Sequence, residues 1–338
     1  MTTFRRRRAA RGGRWTAADI PGQSGRTAVV TGASGGIGLE AARELARRGA
    51  TVILACRDLA KAGRAADQIR AEAGRPSVRV VRLDLARMAS VREAADEIRS
   101  GCPRLDLLIN NAGVMSPPWQ RTEDGFELTL AANHLGHFAL TGLLLDRLLA
   151  APGSRIVTVS SIGHTEGVMH FDDLHFERGY NASHAYWQSK LANLLFTYEL
   201  HSRLAAAGAD VIAIAAHPGV VRTDLWRTSS LLERVMVSRR LRPISFWAVQ
   251  DAQLGALPTL RAAADPSAGS GEYYGPSGWL EYTGYPVRVE SSPRSHDVAA
   301  QRRLWEVSEH LTGVCYLSPA LAGGTEQGAP ATMPRPDR

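Results

Sequence analysis

The sequence contains little cysteine, little lysine and no long apolar segment. Its three cysteines, Cys56, Cys102 and Cys315, are far apart and form no CxxC pair. This pattern argues against a disulfide framework or a zinc site and is typical of a reduced, cytoplasmic protein. No apolar run approaches the ~20 residues that a membrane span needs, so we expect neither a signal peptide nor a membrane anchor. Of the 40 basic residues, only Lys61 and Lys190 are lysines.

Positive charge is concentrated at the start of the chain. Residues 1–14 carry six arginines and no acid, whereas the whole chain has a net charge of only +7. We predict a basic disordered arm over 1–19 and, from a Pro/Gly/Ala-rich sequence, a disordered tail over 317–338. The body between them lacks a basic surface, so no nucleic-acid partner is expected, although contact of the arm with nucleic acid or anionic lipid stays open.

From residue 26 the sequence alternates short apolar runs with amphipathic segments. Continuous apolar runs indicate strands buried on both faces, and we predict strands at Thr27–Thr31, Thr51–Cys56, Val78–Leu83, Leu105–Ile109, Ile156–Ser160 and Val211–Ala215. Helical periodicity indicates helices at Ile37–Arg48, Leu59–Ala73, Ser90–Arg99 and Ser183–Ala206. This order predicts the α/β class: one domain over 20–316 with a Rossmann-type, doubly wound parallel sheet of about seven strands and helices on both faces.

A glycine-rich turn, TGASGGIG, follows the first predicted strand and opens the first predicted helix. Glycines let the backbone approach a pyrophosphate at the positive helix N-terminus. Gly32, Gly36 and Gly38, with Ser34 and Ile37 between them, therefore predict a dinucleotide site. The GK[ST] ending of a P-loop is absent, which argues against a kinase or an ATPase.

The end of the second strand indicates which dinucleotide binds. NAD-selective sites usually place an acid about 20 residues after the glycine turn, where it bonds the ribose 2′-OH. This strand ends in Ala55-Cys56-Arg57, and a guanidinium there would bind a 2′-phosphate through charge-assisted hydrogen bonds. We predict NADP(H), while the neighbouring Asp58 keeps NAD(H) open.

One of the two lysines follows a tyrosine by four residues in AYWQSKLAN. In a helix, Tyr186 and Lys190 lie on one face, about 5–6 Å apart at Cβ. A phenol with a pKa near ~10 is a poor proton donor at neutral pH, and an adjacent ammonium is expected to lower that pKa. The pair predicts acid–base chemistry, with an exposed surface ion pair as the alternative. His134 and His137 have no further ligand nearby in sequence, so we predict packing or hydrogen-bonding roles and no metal site.

The motifs together resemble the short-chain dehydrogenase/reductase family. They occur in the family's order across residues 26–225: TGASGGIG, Asp84 in LDLA, Asn110-Asn-Ala-Gly113, Asn133, Ser160-Ser161, Tyr186-x-x-x-Lys190 and His217-Pro-Gly219. ACRD (55–58), FDDL (171–174) and YWQSKLANLLFTYEL (186–200) are similar to the branch that contains the retinol dehydrogenases and their bacterial relatives. Animal members of that branch often carry an apolar N-terminal anchor, where this sequence has its arginine-rich arm.

The resemblance implies a catalytic group. Tyr186 would exchange a proton with a carbonyl or alcohol oxygen during hydride transfer. Lys190 would lower the pKa of Tyr186 and hold the nicotinamide ribose, and Ser161, preferred over Ser160, would hydrogen-bond the carbonyl oxygen. Asn133 would hold a water in a relay with Lys190. The alternatives are a strand-end capping role for Ser161 and a kink in a helix for Asn133.

The resemblance also implies further cofactor contacts. Asp84 would bond the adenine amine, Asn111 and Gly113 would pack on the adenosine ribose, and Leu85, Ala112 and Val221 would complete the cavity. Pro218 and Gly219 would pass along the nicotinamide, and Thr223 would reach the carboxamide. Simple turn-shaping roles, or a helix cap for Thr223, remain the alternatives.

Two aromatic-rich segments are candidates for a substrate pocket. Residues 220–250 are amphipathic and are predicted to form a lid, with Trp226, Met236 and Trp247 on its apolar side. The stretch 273–285 would form a second wall that includes Trp279. We expect a lipophilic carbonyl or alcohol substrate; burial in the core or a homodimer or tetramer contact is the alternative.

The sequence leaves other functions open. A non-catalytic NADP-binding sensor or scaffold on the same fold would need none of Asn133, Ser161, Tyr186 and Lys190, which favours an oxidoreductase. A sugar-nucleotide epimerase or dehydratase would have a different glycine spacing.

Overall fold

The computed structural model describes residues 14–73, 77–221 and 249–316. Its centre is an eight-stranded sheet with the order β3-β2-β1-β4-β5-β6-β7-β8. The strands are β1 Thr27–Thr31, β2 Thr51–Cys56, β3 Val78–Arg82, β4 Leu107–Asn110, β5 Ser154–Val159, β6 Val211–Ala216, β7 Tyr273–Pro276 and β8 Pro286–Arg288. Neighbouring strands are parallel from β3 to β7, and only β8 is antiparallel to its neighbour. The predicted doubly wound sheet is confirmed, with an antiparallel eighth strand added.

Helices cover both faces of this sheet. They are α1 Gly36–Arg47, α2 Leu59–Ala73, α3 Met88–Gly101, α4 Leu128–Leu130, α5 Gly136–Leu143, α6 Leu145–Leu149, α7 Ala182–Ala206, α8 Ala252–Ala264 and α9 Val298–Thr312. A π-helical turn, Ala131–Leu135, joins α4 to α5. Among the residues described, no helix combines the length and the apolar character needed to cross a membrane.

Alternation along the strands divides the core into two layers. Val29 of β1 packs with α3, α5, α7 and α9, whereas its neighbours Ala28 and Val30 pack with α1, α2 and α8. Successive strand side chains point to opposite faces, so a continuous apolar run supplies both layers at once. This arrangement leaves the strand ends free to carry polar and glycine-rich turns.

Some strands and helices begin or end at residues other than the predicted ones, because contacts with residues distant in sequence set their ends. The helix predicted from Ser90 begins at Met88, whose N–H donates to Asp124 Oδ2 at 2.8 Å. Ser160, predicted as the last residue of a strand, lies just beyond β5, and Leu105 lies before β4. The last two strands, β7 and β8, were absent from the predicted strands because their sequences are short and contain Gly or Pro.

The folded part of the chain begins before residue 20. Trp15 is buried, and a short 3-10 helix at Ala17–Asp19 starts with a capping box between Thr16 and Asp19. Residues 14–19, which the sequence assigned to the arm, therefore pack on the domain. The remainder of the predicted arm, most of the predicted lid and the predicted tail lie outside the described residues.

Candidate active site

The carboxyl ends of the parallel strands surround one cleft of about 520 Å³. Parallel α/β sheets bind their ligands at this edge. Most of the predicted cofactor residues line it: Gly32, Ser34, Gly36, Ile37, Gly38, Arg57, Asp84, Leu85, Asn111, Ala112, Gly113, Tyr186, Lys190 and Pro218. A larger hollow of about 670 Å³ between α1 and α8 contains none of the predicted residues.

The glycine turn has the geometry that a pyrophosphate requires. Gly32 and Gly36 have φ values of +67° and +58°, a region that favours glycine. A Cβ on Gly38 would lie 2.5 Å from Asn111 Nδ2, so no larger residue fits without a shift. No side chain caps the start of α1 at Gly35, which leaves the helix N-terminus to an external anion.

Basic side chains lie at the end of β2, beside this turn. Arg57 is exposed and lines the cleft, as does Lys61 in the first turn of α2. The Lys61 ammonium approaches the turn so closely that a Cβ on Gly35 would lie 3.2 Å from its Nζ. Asp58 Oδ1 accepts a hydrogen bond from the Lys61 N–H at 2.9 Å, so this carboxylate caps α2.

The segment after β4 is tied to the glycine turn. The Thr31 hydroxyl accepts hydrogen bonds from the N–H groups of Asn111 and Ala112, both at 2.9 Å. Asn111 Nδ2 donates to the Thr31 carbonyl at 2.9 Å. Asn111 thus shapes the turn, as its alternative interpretation expected, while still lining the cleft. Asp84 also lines the cleft, and its Oδ1 accepts from the Ala86 N–H at 3.1 Å.

Helix α7 brings Tyr186 and Lys190 to the same wall of the cleft. The helix begins where Asn181 Oδ1 accepts hydrogen bonds from the N–H groups of Ser183 and His184. The Lys190 Nζ lies 5.7 Å from the centre of the Tyr186 ring and donates to the Val159 carbonyl at 3.2 Å. Lys190 is 4% exposed. The alternative of an exposed surface pair is therefore excluded.

The predicted effect of Lys190 on the tyrosine is not found in this state of the chain. Burial raises the pKa of Tyr186 above its usual value, and the hydroxyl of Ser161 lowers it. Burial also lowers the pKa of Lys190 to about 8. Desolvation dominates because the ammonium points to the Val159 carbonyl rather than to the phenol oxygen. The group that directly favours the phenolate here is Ser161.

The two serines after β5 have different partners. Ser160 is 2% exposed and its hydroxyl donates to the Lys190 carbonyl at 2.8 Å. Ser161 Oγ accepts from the Gly163 N–H at 3.1 Å, which caps a short 3-10 helix, and its hydroxyl lowers the pKa of Tyr186. Ser161 thus combines the capping role with an effect on the tyrosine, whereas Ser160 lines the cleft and its hydroxyl is bonded to the backbone of α7.

Asn133 lies in the middle of the π-helical turn. Its side chain donates to Ser189 Oγ at 2.9 Å and to the Val114 carbonyl at 3.0 Å, and accepts from the Val114 N–H at 2.7 Å. Such turns interrupt the regular helical bonding and occur often at functional sites. A Cβ on Gly113 would lie 3.0 Å from Asn133 Oδ1 and 3.6 Å from Lys190 Nζ. Asn133 and Lys190 therefore converge on Gly113.

The two histidines of this region have the predicted hydrogen-bonding roles. His134 Nε2 bonds Ser308 Oγ at 2.9 Å. His137 joins the Asn133 carbonyl, 3.0 Å from its Nδ1, to the Thr31 hydroxyl, 2.9 Å from its Nε2. Burial lowers the pKa of His137 to about 4, so the ring is neutral and connects the π-turn to the glycine turn.

Comparison with known proteins identifies the family. Residues 26–233 match the family model described as short chain dehydrogenase. The chain belongs to the short chain dehydrogenase family. It is 45% identical over 300 residues to human "Retinol dehydrogenase 13", with 88% of this chain and 86% of the relative covered. It is 43% identical over 290 residues to human "Retinol dehydrogenase 12", covering 86% and 87% of the two chains.

Solved structures give the same result. An uncharacterised protein from Mycobacterium paratuberculosis has a TM-score of 0.74 and 43% identity, covering 89% of this dehydrogenase and 98% of that chain. A short chain dehydrogenase from Shigella flexneri, solved as a complex with NADP, has a TM-score of 0.56 and 26% identity, covering 75% and 98%. The chain is thus an oxidoreductase-family member with retinol dehydrogenase relatives.

The Pro218-Gly219 turn of the dehydrogenase lies beside the cleft but only Pro218 lines it. Gly219 has a φ of +69°, and a Cβ there would lie 2.3 Å from the Tyr282 carbonyl oxygen. Val221 is buried and packs against Gly255, where a Cβ would lie 2.4 Å from its Cγ2. The structure therefore places Val221 under the turn rather than in the cleft, and Thr223 lies outside the described residues.

The predicted substrate residues are only partly described. Trp279 is 60% exposed, next to the turn after β7. Tyr273 and Tyr274, which belong to the predicted aromatic wall, are instead buried in β7. For these two residues the structure has the alternative, burial in the core, because both side chains pack against the sheet and helices. Trp226, Met236 and Trp247 lie outside the described residues.

Sequence reasoning missed several cleft residues of the dehydrogenase, including Lys61 and Cys56. The rarity of lysine, and the place of Lys61 in the first turn after Arg57, were the signals available for Lys61. Cys56 ends β2. Burial raises the pKa of Cys56, so it packs as a neutral thiol under the glycine turn. In the described part of the chain, no group of three or more His, Cys, Asp or Glu side chains could hold a metal ion.

Proposed function

We propose that this chain is an NADP-dependent oxidoreductase that interconverts a lipophilic carbonyl compound and the corresponding alcohol. The observation that carries the proposal is that Tyr186 and Lys190 line the glycine-turn cleft together, with Ser161 near enough to lower the pKa of Tyr186. A binding protein would have no use for a buried lysine next to a tyrosine and a serine at this position. The family assignment supports the same reaction class.

The residues of the cleft fit a dinucleotide. The uncapped start of α1 and the glycine turn would hold the pyrophosphate, and Asp84 and Gly113 would flank the adenosine. The bound nicotinamide would supply or accept the hydride. Pro218 lines the same cleft as Tyr186 and Lys190, and it would border the nicotinamide.

The side chains of the cleft would supply the proton chemistry. Tyr186 would give its phenolic proton to the substrate oxygen in reduction and take it back in oxidation. Ser161, which lowers the pKa of the phenol, would donate a hydrogen bond to the same oxygen. Lys190, which lies close to Gly113 and Asn133, would hold the nicotinamide ribose. Together with Asn133 it would form a proton relay.

Three observations support NADP over NAD. Arg57 and Lys61 provide two cations beside the glycine turn, where a 2′-phosphate would be bound. Asp58, the acid that kept NAD open, is engaged as the cap of α2. The family relative from Shigella flexneri was solved with NADP bound. The names of the curated relatives add retinol and retinal to the candidate substrates.

The test is to follow NADPH oxidation by the full chain against a panel of carbonyl compounds, from propanal to decanal and retinal. We expect turnover with the apolar members and a lower kcat/KM with NADH. Tyr186→Phe should reduce kcat by about 10²–10⁴-fold because the general acid is lost. NADPH binding by Tyr186→Phe, measured by fluorescence titration, should be retained.

Three results would contradict the proposal. An enzyme that binds NADPH and reduces no panel member would support the non-catalytic sensor instead. Activity confined to propanal, the smallest member of the panel, would overturn the lipophilic assignment. A kcat/KM for NADH equal to that for NADPH would overturn the cofactor preference.

A further inference from the structure

The turn that follows β7 lies at the ligand-binding edge of the sheet. Because β7 is parallel to β6, its carboxyl end points to the same edge as the cleft. The turn consists of Trp279–Tyr282 and returns the chain to the antiparallel β8. The paired strands β7 and β8 fix both ends of this turn, and the turn itself projects beyond the sheet.

The backbone of this turn is strained. Leu280 and Glu281 are consecutive non-glycine residues with φ values of +48° and +58°. Leucine and glutamate rarely adopt the left-handed region, and such strain persists only where surrounding contacts hold it. Strained turns of this kind occur preferentially at functional sites.

The contact that holds the turn is a hydrogen bond to His217. His217 Nε2 lies 2.9 Å from Glu281 Oε2, and His217 is 0% exposed. The Gly219 N–H donates to His217 Nδ1 at 3.3 Å, so the other nitrogen, Nε2, carries the proton and donates to the carboxylate. One imidazole therefore connects Glu281 to the His217-Pro-Gly219 turn beside the cleft.

A second contact holds the turn from the backbone. The Val220 N–H donates to the Tyr282 carbonyl at 2.8 Å. The approach of Gly219 to the Tyr282 carbonyl is close enough that any Cβ would clash. The turn after β7 therefore packs directly on the turn that contains Pro218 and Gly219. This contact sets its position beside the cleft.

The turn presents apolar side chains outward. Trp279 and Leu280 are 60% and 53% exposed, two of the few large apolar side chains exposed in the described ranges. The Trp279 ring lies edge-on to Tyr282, with ring centres 5.6 Å apart. An exposed indole at the ligand-binding edge of the sheet, on a turn that packs against the Pro218-Gly219 turn, can cover the apolar part of a substrate whose reacting oxygen lies at Tyr186.

From these contacts we infer that Glu281 is a positioning residue, and that the turn it holds determines whether bulky apolar substrates are accepted. The inference rests on the proposed reductase function. Glu281 does not touch the reacting atoms. Its carboxylate holds the strained turn against His217, and the Trp279 side chain on that turn would border a bound bulky substrate.

The test compares Glu281→Ala and Glu281→Gln with the wild-type chain, using decanal and propanal as substrates. Glu281→Ala should raise KM for decanal about tenfold, with kcat unchanged and with KM for propanal and NADPH unaltered. Glu281→Gln keeps a side-chain oxygen that accepts from His217 Nε2, so it should restore most of the decanal KM. Glu306→Ala, an exposed glutamate of α9, is the matched control and should resemble wild type.

An unchanged KM for decanal in Glu281→Ala would overturn the inference. Equal increases for decanal, propanal and NADPH would also overturn it, since they indicate general loosening of the fold. A wild-type chain that reduces neither aldehyde would refute the proposed function instead. In that case acrylamide quenching of tryptophan fluorescence tests the inference. The contribution of Trp279 to the quenching is obtained by comparing each protein with its Trp279→Phe version. This contribution should differ between the wild-type chain and Glu281→Ala, and an equal contribution would refute the inference.

Discussion

Two adjacent serines, Ser160 and Ser161, show how one position along the chain changes a residue's role. Ser160 donates its only hydroxyl proton to the backbone of α7, so that proton is not available to a ligand. Ser161 uses an oxygen lone pair for the Gly163 N–H, and its hydroxyl lowers the pKa of Tyr186. The difference follows from the end of β5 at Val159, after which the chain enters a short 3-10 helix.

Replacing each serine should therefore affect kcat differently. Ser161→Ala is expected to lower kcat about 10²–10³-fold, since a hydrogen bond to the reacting oxygen is lost, and to lower the free energy of unfolding by about 1 kcal/mol, since the cap of the 3-10 helix is lost. Ser160→Ala should leave kcat near the wild-type value and lower the free energy of unfolding by about 1 kcal/mol through its lost bond to the Lys190 carbonyl. Steady-state kinetics and urea unfolding of both variants measure this, and a larger loss of kcat in Ser160→Ala would reverse the assignment.

A second prediction at this scale concerns Arg57, the cation at the end of β2. Arg57→Ala should raise KM for NADPH about tenfold or more by removing a charge-assisted hydrogen bond to the 2′-phosphate, and should leave KM for NADH unchanged. Arg64→Ala removes an exposed arginine of α2 that does not line the cleft, and it should match wild type with both cofactors. Equal effects of Arg57→Ala on the two cofactors would show that Arg57 does not contact the 2′-phosphate.

At the level of helices and strands, the cleft depends on the close approach of α1 to the segment after β4. Gly38 in α1 is in contact with Asn111, whereas a Cβ on Gly63 in α2 would have nothing within 4 Å of it. The two glycines therefore have different reasons for being glycine. The first is required by packing, and the second only lowers the helix propensity of α2.

Alanine substitutions should separate these two cases. Gly38→Ala is expected to lower the free energy of unfolding by about 1–3 kcal/mol through overpacking and to weaken NADPH binding by displacing Asn111. Gly63→Ala should raise the free energy of unfolding by up to about 1 kcal/mol and leave NADPH binding unchanged. Chemical denaturation and fluorescence titration provide the values; a stable Gly38→Ala variant with normal NADPH affinity would disprove the contact argument.

Elements with strong local patterns were predictable from the sequence, whereas those fixed by distant contacts were not. Thr27–Thr31, Thr51–Cys56 and Leu59–Ala73 were predicted with the bounds that the structure has. The start of α3 depends on Asp124, β7 depends on pairing with β6, and β8 depends on pairing with β7, so their local sequences carried little signal. In the same way, the motif residues of the site were evident from their spacing. The effect of burial on the pKa of Tyr186 and the link between His217 and Glu281 required the fold.

At the scale of the whole molecule, three buried histidines connect stability to pH. Burial lowers the pKa of His134 to about 3 and those of His137 and His164 to about 4. In the unfolded chain these groups would have pKa values near ~6.5. Between the folded and the unfolded pKa values the unfolded state binds more protons than the folded state. The stability that these neutral histidines contribute is therefore fully present above about pH 6.5 and is lost as the pH falls toward 4.

The free energy of unfolding should consequently fall on acidification below about pH 6.5, by up to about 1.4 kcal/mol per pH unit for each of the three histidines. Urea unfolding of the cofactor-free chain between pH 7 and pH 5 measures the slope. His164→Gln should reduce this slope by the contribution of one histidine, up to about 1.4 kcal/mol per pH unit. A free energy of unfolding that does not change over this range would contradict the neutral, buried state of these rings.

The two lysines of the chain meet in one cleft, and this gives the protein an unusual chemical property. Apart from the terminal amine, every primary amine that an acylating reagent can find lies beside the glycine turn, with Lys61 partly accessible and Lys190 buried. Covalent labelling followed by mass spectrometry would thus report on this one cleft without background from the rest of the surface. Protection of Lys61 by NADPH, and weaker protection by NADH, would map the occupied cleft directly.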